Sequence, residues 1–180
     1  MRDAITKANA STTKDIINFK ISSGAQTIKL NTALPVINRP LRLDGTTQPG
    51  FSGTNLITID AQGANFKVLF AAGAIDGKSI TIVGANSWAV HARGDGTVLD
   101  GFIVDKAPGS VSGRGIYLDI GKDMVVRNCS AKNWGIGIGL NGTTDVTIDN
   151  VDVSGSGSCT NGTSALYVVK PKSDTIPGGV

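Results

Sequence analysis

The sequence predicts an all-β protein, a right-handed parallel β-helix: a solenoid of about six to seven coils, closed at its start by a short helix. Three observations predict it. First, the 180 residues include 24 glycines, and all 14 acidic residues are Asp, with no Glu. Glu favours helices and Asp favours turns and caps, so this usage points to many short strands joined by many turns. Second, short apolar runs are separated almost everywhere by Gly, Asn, Asp or Ser. Third, the runs repeat. Val98-Leu99-Asp100-Gly101-Phe102 aligns with Val125-Val126-Arg127-Asn128-Cys129, 27 residues on (98 to 125), and with Thr147-Ile148-Asp149-Asn150-Val151, a further 22 (125 to 147). Gly115-Ile116-Tyr117-Leu118 aligns with Gly137-Ile138-Gly139-Leu140, again 22 apart (115 to 137). A repeat of that length made only of strands and turns suits one coil of a β-helix, and the Leu-rich consensus of a leucine-rich repeat is absent. The right hand follows from the general preference of parallel crossovers.

In chain order, residues 1–13 read as a capping helix and turn, and residues 14–180 as coils of one domain. The helix covers Arg2–Ala10, with Ile5 and Ala8 on one face and Asp3 near the favourable N-terminal dipole end. A solenoid needs such a cap, since its first coil otherwise exposes an apolar cross-section and unpaired strand edges. Strand-like runs follow at 16–21, 27–30, 41–43, 56–59, 68–70, 79–83, 98–99, 102–104, 116–120, 124–126, 135–140, 146–148 and 166–169. Leu41-Arg42-Leu43-Asp44-Gly45, Leu56-Ile57-Thr58-Ile59-Asp60 and Ser79-Ile80-Thr81-Ile82-Val83 read as poorer copies of the same repeat.

Stacked coils place equivalent residues in columns. Leu99, Val126 and Ile148 should point inward, with Phe102, Cys129 and Val151 as a second inward column. Asn128 and Asn150 should bond along the stack at a bend that Gly101 occupies one coil earlier. Asp100, Arg127 and Asp149 alternate in sign and should form an outward ion ladder of a few tenths of a kcal/mol per pair.

Composition narrows function. Hydrophobic residues make up 40% and aromatics only 5%, so the core is built from small and β-branched side chains. The net charge of +3 comes mostly from the first fifty residues, where seven Lys/Arg face Asp3, Asp15 and Asp44. No basic run interleaves with aromatics, which argues against nucleic acid; acidic glycans or anionic surfaces remain compatible. No stretch approaches the ~20 apolar residues of a membrane helix, and no leader-like segment follows Met1.

The N-terminal third resembles a known group. RDAITKANAS (residues 2–11) looks like the capping segment, and LPVINRPLRLDGTTQPGFSGTNLITIDAQG (34–63) like the first coils, of bacterial secreted right-handed parallel β-helix proteins of the pectin-lyase-like superfamily. The most specific string is Asp44-Gly45-Thr46-Thr47-Gln48-Pro49-Gly50. The resemblance covers about residues 2–63. It implies a right-handed coil, a secreted or cell-surface location and flanking domains in a larger chain. It carries no agreed catalytic residues, because the fold hosts lyases, hydrolases, adhesins and spikes.

The chemistry-bearing residues give two expectations. The first is a non-catalytic extracellular scaffold, adhesin-like or glycan-contacting. Trp88 and Trp134 sit in loop-like contexts where exposed rings could stack on sugars, with Asn133 and Lys132 bonding hydroxyls. The second is a polysaccharide lyase or glycoside hydrolase. Asp100, Asp105, Asp119 and Asp123 are the densest carboxylates and would do acid/base work. Arg114, Lys122, Arg127 or Lys132 would supply a cation, and Ca²⁺ enters only if the chain is a lyase. The sole histidine, His91, lacks the glycine-flanked setting of the hydrolases. No metal-ligand spacing is present and no cofactor is expected. The two thiols, Cys129 and Cys159, fall in unlike environments, and four Asn-x-Ser/Thr sequons begin at Asn9, Asn128, Asn141 and Asn161.

Overall fold

A computed structural model describes residues 1–109 and 112–157 and the backbone strand Leu166–Val169. It shows an all-β parallel solenoid of about six turns with a short N-terminal helix. The helix, α1 (Arg2–Ala10), has the bounds expected from its apolar face. Ile5 and Ala8 are buried against the first coil. Polar side chains fasten the cap from its other flank: the Arg2 guanidinium donates to the carbonyl oxygens of Thr32 and Ala33, and the Asn9 amide bonds Val36 and Asn38.

Among the described residues twelve strands follow, and every pairing between them is parallel. They form three faces. The first runs from β1 (Asp15–Asn18) through β3 (Leu41–Asp44) and β6 (Ile75–Lys78) to β9 (Val98–Asp100). The second is β2 (Gln26–Lys29), β4 (Ile57–Ala64) and β7 (Ile80–Ala85), continued by single bridges through Ile103 to Ser130. The third starts with β5 (Lys67–Ala71) and β8 (Trp88–Ala92). The long strands β10 (Ser112–Ser130) and β11 (Trp134–Asp152) turn the corner between faces. Their N-terminal halves extend the third face, from β8 on towards β12 (Leu166–Val169). Their C-terminal halves extend the first, where β10 lies on β9. The corner falls at residues with left-handed backbone, Ile120 and Asp123 in one coil and Gly142 and Asp145 in the next.

The core is the interior of this coil, lined by Leu, Ile, Val and Ala from all three faces. Leu99, Val126 and Ile148 stand in register, the first two fully buried and Ile148 partly. Phe102 and Cys129 are buried beside them and Val151 packs against them. Burial pushes the Cys129 thiol up to about 11; Cys159 and the Asn161 sequon lie outside the described residues. The bend expected at Gly101, Asn128 and Asn150 is real: all three have positive φ, 71°, 52° and 48°. Asn150 donates to the Asn128 amide oxygen at 2.9 Å, and Asn128 donates to Asp100 at 2.9 Å. These short polar side chains tolerate the left-handed backbone and carry hydrogen bonds up the stack.

The string at 44–50 has a structural role. Asp44 accepts from the Thr46 backbone N–H, closing the short 3-10 turn Gly45–Thr47. The buried Gln48 amide then bonds Ile21, Ser22 and Gly24 of the preceding coil. The loop is thereby stitched to its neighbour through groups that would otherwise be orphaned.

Two expectations about the coils are corrected. Residues 41–45 are not a copy of 56–60. The stretch 41–44 pairs with 75–78, while 57–60 pairs with 80–83 on a different face. The apolar-alternating pattern is the same on both faces, so local similarity misassigns the column. The run at 102–104 forms no strand, only isolated bridges from Ile103 to Thr81 and to Ser130. Strands β6 and β8 carry no expectation of their own.

Candidate functional site

The third face carries the densest chemistry. Two outward columns run across three successive coils. One is Lys67–Trp88–Arg114, the other Phe70–His91–Tyr117. In each coil the outward pair is separated by two residues, Val68 and Leu69, Ala89 and Val90, or Gly115 and Ile116, all of them buried. The strand therefore bends between the pair instead of alternating strictly.

Stacking turns these columns into a lattice of rings and cations. His91 lies 4.7 Å from the Phe70 ring and nearly parallel to it, with Trp88 at 4.6 Å and Tyr117 at 5.6 Å. Lys67 Nζ stands 4.4 Å from the Phe70 centroid and 4.8 Å from that of Trp88. The Arg114 guanidinium stands 4.4 Å from Trp88 and 4.9 Å from Tyr117. Each partly desolvated cation–ring contact contributes about 1–2 kcal/mol. The lattice needs small neighbours: a Cβ at Gly139, the next position in the His91 column, would collide with the Tyr117 ring.

A third column supplies a buried charge centre. Asp119, 4% exposed, accepts from Arg93 Nε at 2.8 Å, from Asn141 Nδ2 at 2.7 Å and lies 3.2 Å from His91 Nε2. Burial opposes the Asp119 charge, but the hydrogen bonds from Arg93, Asn141 and His91 outweigh it and hold the carboxyl below the usual range. His91 is 2% exposed. Burial and the nearby Lys67 charge push its imidazole down to about 4, so it is neutral at neutral pH. Its Nδ1 is buried without a hydrogen-bond partner, as is Arg114 Nε. Burial also lowers the Lys67 ammonium, helped by the charge of Arg93 and opposed by Asp119. Among the described residues neither Lys67 nor Arg114 has a carboxylate partner. The face therefore presents fixed, unneutralised positive charge on an aromatic support.

The sequence-derived candidates are scattered over the solenoid. Trp88 lies on this face, but in a strand and not in a loop, with cations against its ring. Trp134 is 1% exposed, not an exposed ring; its indole N–H donates to the Val104 carbonyl at 2.6 Å. It occupies the first position of β11, where the side chain turns into the core. Lys132 pairs with Asp152 at 2.9 Å, and Asn133 bonds the Lys106 carbonyl, so both serve coil stacking. Asp100 belongs to the first face, paired with Arg127 at 2.9 Å. Asp105 accepts from the Ser130 hydroxyl and the Lys132 backbone. Asp123 is exposed at the corner. Asp100, Asp105, Asp119 and Asp123 share no hydrogen-bonding partner among the described residues. No three His, Cys, Asp or Glu side chains gather as a metal set there either. The sequon residues Asn9, Asn128 and Asn141 all have their amides engaged.

Sequence reasoning missed Lys67, Phe70 and Arg93 and gave His91 no partner. A signal existed: a cation or Trp followed three residues later by Phe, His or Tyr occurs at 67/70, 88/91 and 114/117. Against known proteins, no family model, no curated protein and no solved structure matches the chain. The fold and this face are thus what functional inference has to stand on.

Proposed function

We propose that this chain is a non-catalytic β-solenoid scaffold of a secreted or cell-surface protein, which contacts glycans through the third face. The observation that carries the reading is the pair of unneutralised cations, Lys67 and Arg114, held on the Trp88 ring. A solenoid repeats such a row at the coil spacing, a geometry suited to an extended polymer. The reading departs from sugar stacking on bare Trp rings. Trp88 has cations against it and Trp134 is buried, so charge and hydrogen bonding dominate over ring stacking.

The alternative, a polysaccharide lyase or hydrolase, draws on the His91–Asp119–Arg93 cluster. Burial weighs against it, because a group that handles a substrate proton must come within hydrogen-bond reach of the substrate, and His91 is covered by three rings. The test is a glycan-array screen beside an assay for unsaturated or reducing sugar release. Binding that weakens in Lys67→Ala and Arg114→Ala, without sugar release, is expected. Sugar release abolished by Asp119→Asn would replace the scaffold reading with the enzymatic one.

A further inference from the structure

Along the solenoid axis, the third face reads charge, ring, charge. Lys67 and Arg114 are register partners of Trp88 in the preceding and following coils. Their charged groups lie 4.8 and 4.4 Å from its ring centroid. Coils stack at the strand spacing, so the Lys67 and Arg114 backbones stand about two rises, roughly 9–10 Å, apart, and their charged groups, both resting on the Trp88 ring, no more than about 9 Å apart. The middle coil's cation on this face, Arg93, is half exposed but already paired with a carboxylate. His91 is neutral there, and the Arg93 guanidinium is taken up by Asp119 at 2.6 Å.

We propose that this face seats an acidic polysaccharide lying along the solenoid axis, with an anionic group on alternate sugars: Lys67 takes one anion, Arg114 the next, and the uncharged sugar between them rests against Trp88. The proposal rests on the glycan reading above and adds the charge spacing of the ligand. A disaccharide of an extended chain spans about the length of two coil rises. A chain charged on every sugar would put its middle anion over the Trp88 ring, whose π face is negative. That anion would lose water without gaining a cation, which costs free energy. Discrimination thus comes from an unmatched charge as well as from the two matched ones. Rigid seating helps, since cations already immobilised on rings lose little freedom on binding.

The experiment is calorimetric titration of the whole chain with three oligosaccharides of equal length: a hyaluronan oligosaccharide, with a carboxylate on alternate sugars; an oligogalacturonate, with one on every sugar; and a neutral N-acetylglucosamine oligomer. The hyaluronan probe should bind at least tenfold more tightly than either of the others. Its affinity should fall as salt rises. Lys67→Ala and Arg114→Ala should each weaken it about tenfold, the scale of one charge-assisted contact. Lys14→Ala, a cation of the first face, should leave it unchanged, and circular dichroism should confirm that all variants fold. Oligogalacturonate binding as tightly as hyaluronan overturns the spacing while the glycan reading stands. So does equal binding of the neutral oligomer. Binding of no saccharide at low salt overturns both.

Discussion

The first and third faces of the solenoid use the same stacking rule and reach opposite results. On the first face the column Asp44–Lys78–Asp100–Arg127–Asp149 alternates in sign from coil to coil. Beside it Arg42 lies over Asp76, which Lys14 also reaches at 3.4 Å. There Arg127 finds Asp100 on the preceding coil at 2.9 Å, and Lys14 and Arg42 both reach Asp76. On the third face Lys67 and Arg114 find rings, and the one buried carboxylate, Asp119, is claimed by Arg93, Asn141 and His91. A cation paired to a carboxylate has little left to offer a partner, whereas ring-supported charge stays available. The difference teaches that in a solenoid the neighbouring coil decides whether a charged side chain is neutralised or left available.

Both faces depend on the coils staying stacked, so the largest effect belongs to the closed end. Ile5→Asp would put an unpaired charge at a position that is 0% exposed. A loss of several kcal/mol, about 3–5, with aggregation through uncovered strand edges, is expected. The exposed Lys7→Asp should stay within roughly 1 kcal/mol. Thermal melting and light scattering at matched concentration compare them; equal behaviour would mean that α1 does not close the stack.

The next effect separates the faces directly. Asp119→Ala strands Arg93 and Asn141 partners in a buried site and should cost about 3 kcal/mol by urea unfolding. Asp100→Ala removes a carboxylate from the exposed ladder and should cost less than about 1 kcal/mol. Equal losses would show that burial is not what distinguishes the two carboxylates.

How far this contrast was legible in the sequence follows from the same physics. The helix Arg2–Ala10, the Leu99/Val126 column and the Asn128–Asn150 amide ladder were readable, because each rests on a local pattern repeated at coil spacing. So was the Asp100–Arg127 pair. The third face was not. Two adjacent buried residues between each outward pair break the period of two that marks a strand, so β8 reads as a loop around Trp88. The partners of His91 come from coils 21 residues before (70) and 26 after (117), offsets that no short window spans. Trp134 shows the converse: Lys132-Asn133-Trp134 looks like an exposed turn, yet the corner at Asn133, with φ 61°, swings the ring inward.

Acid should sharpen the comparison further. The His91 imidazole is depressed to about 4 from an ordinary 6.5, so between those values the unfolded chain binds a proton that the native state refuses. Stability is therefore full above pH 6.5 and falls as pH drops towards 4, by no more than about 3 kcal/mol. Asp44, Asp100 and Asp119, all held low, contribute stability that persists through this window and is lost only below their ordinary value of 3.8. Urea midpoints measured from pH 7 to 4 should slope downward, and His91→Phe, which keeps a stacked ring, should flatten the slope. An unchanged slope would place the titrating group elsewhere.

The smallest effect tests whether the two kinds of cation differ in kind. Arg127 is about half exposed and holds Asp100 through water-accessible contacts. Such a pair contributes little, so Arg127→Ala should cost no more than about 1 kcal/mol at low ionic strength. Raising the salt to about 1 M shortens the screening length to ~3 Å and should erase most of that cost. Arg114→Ala should behave differently. Its guanidinium is packed between the Trp88 and Tyr117 rings, with Nε buried, so part of what it contributes is contact with the rings, which salt does not screen. Its cost, about 1–2 kcal/mol, should survive in high salt. The measurement is a pair of urea titrations per variant, at low and high salt, read as the change in the loss and not the loss itself. Parallel salt dependence would mean that Arg114 is held by an unneutralised electrostatic field and not by its rings, and the two faces would then differ only in charge count.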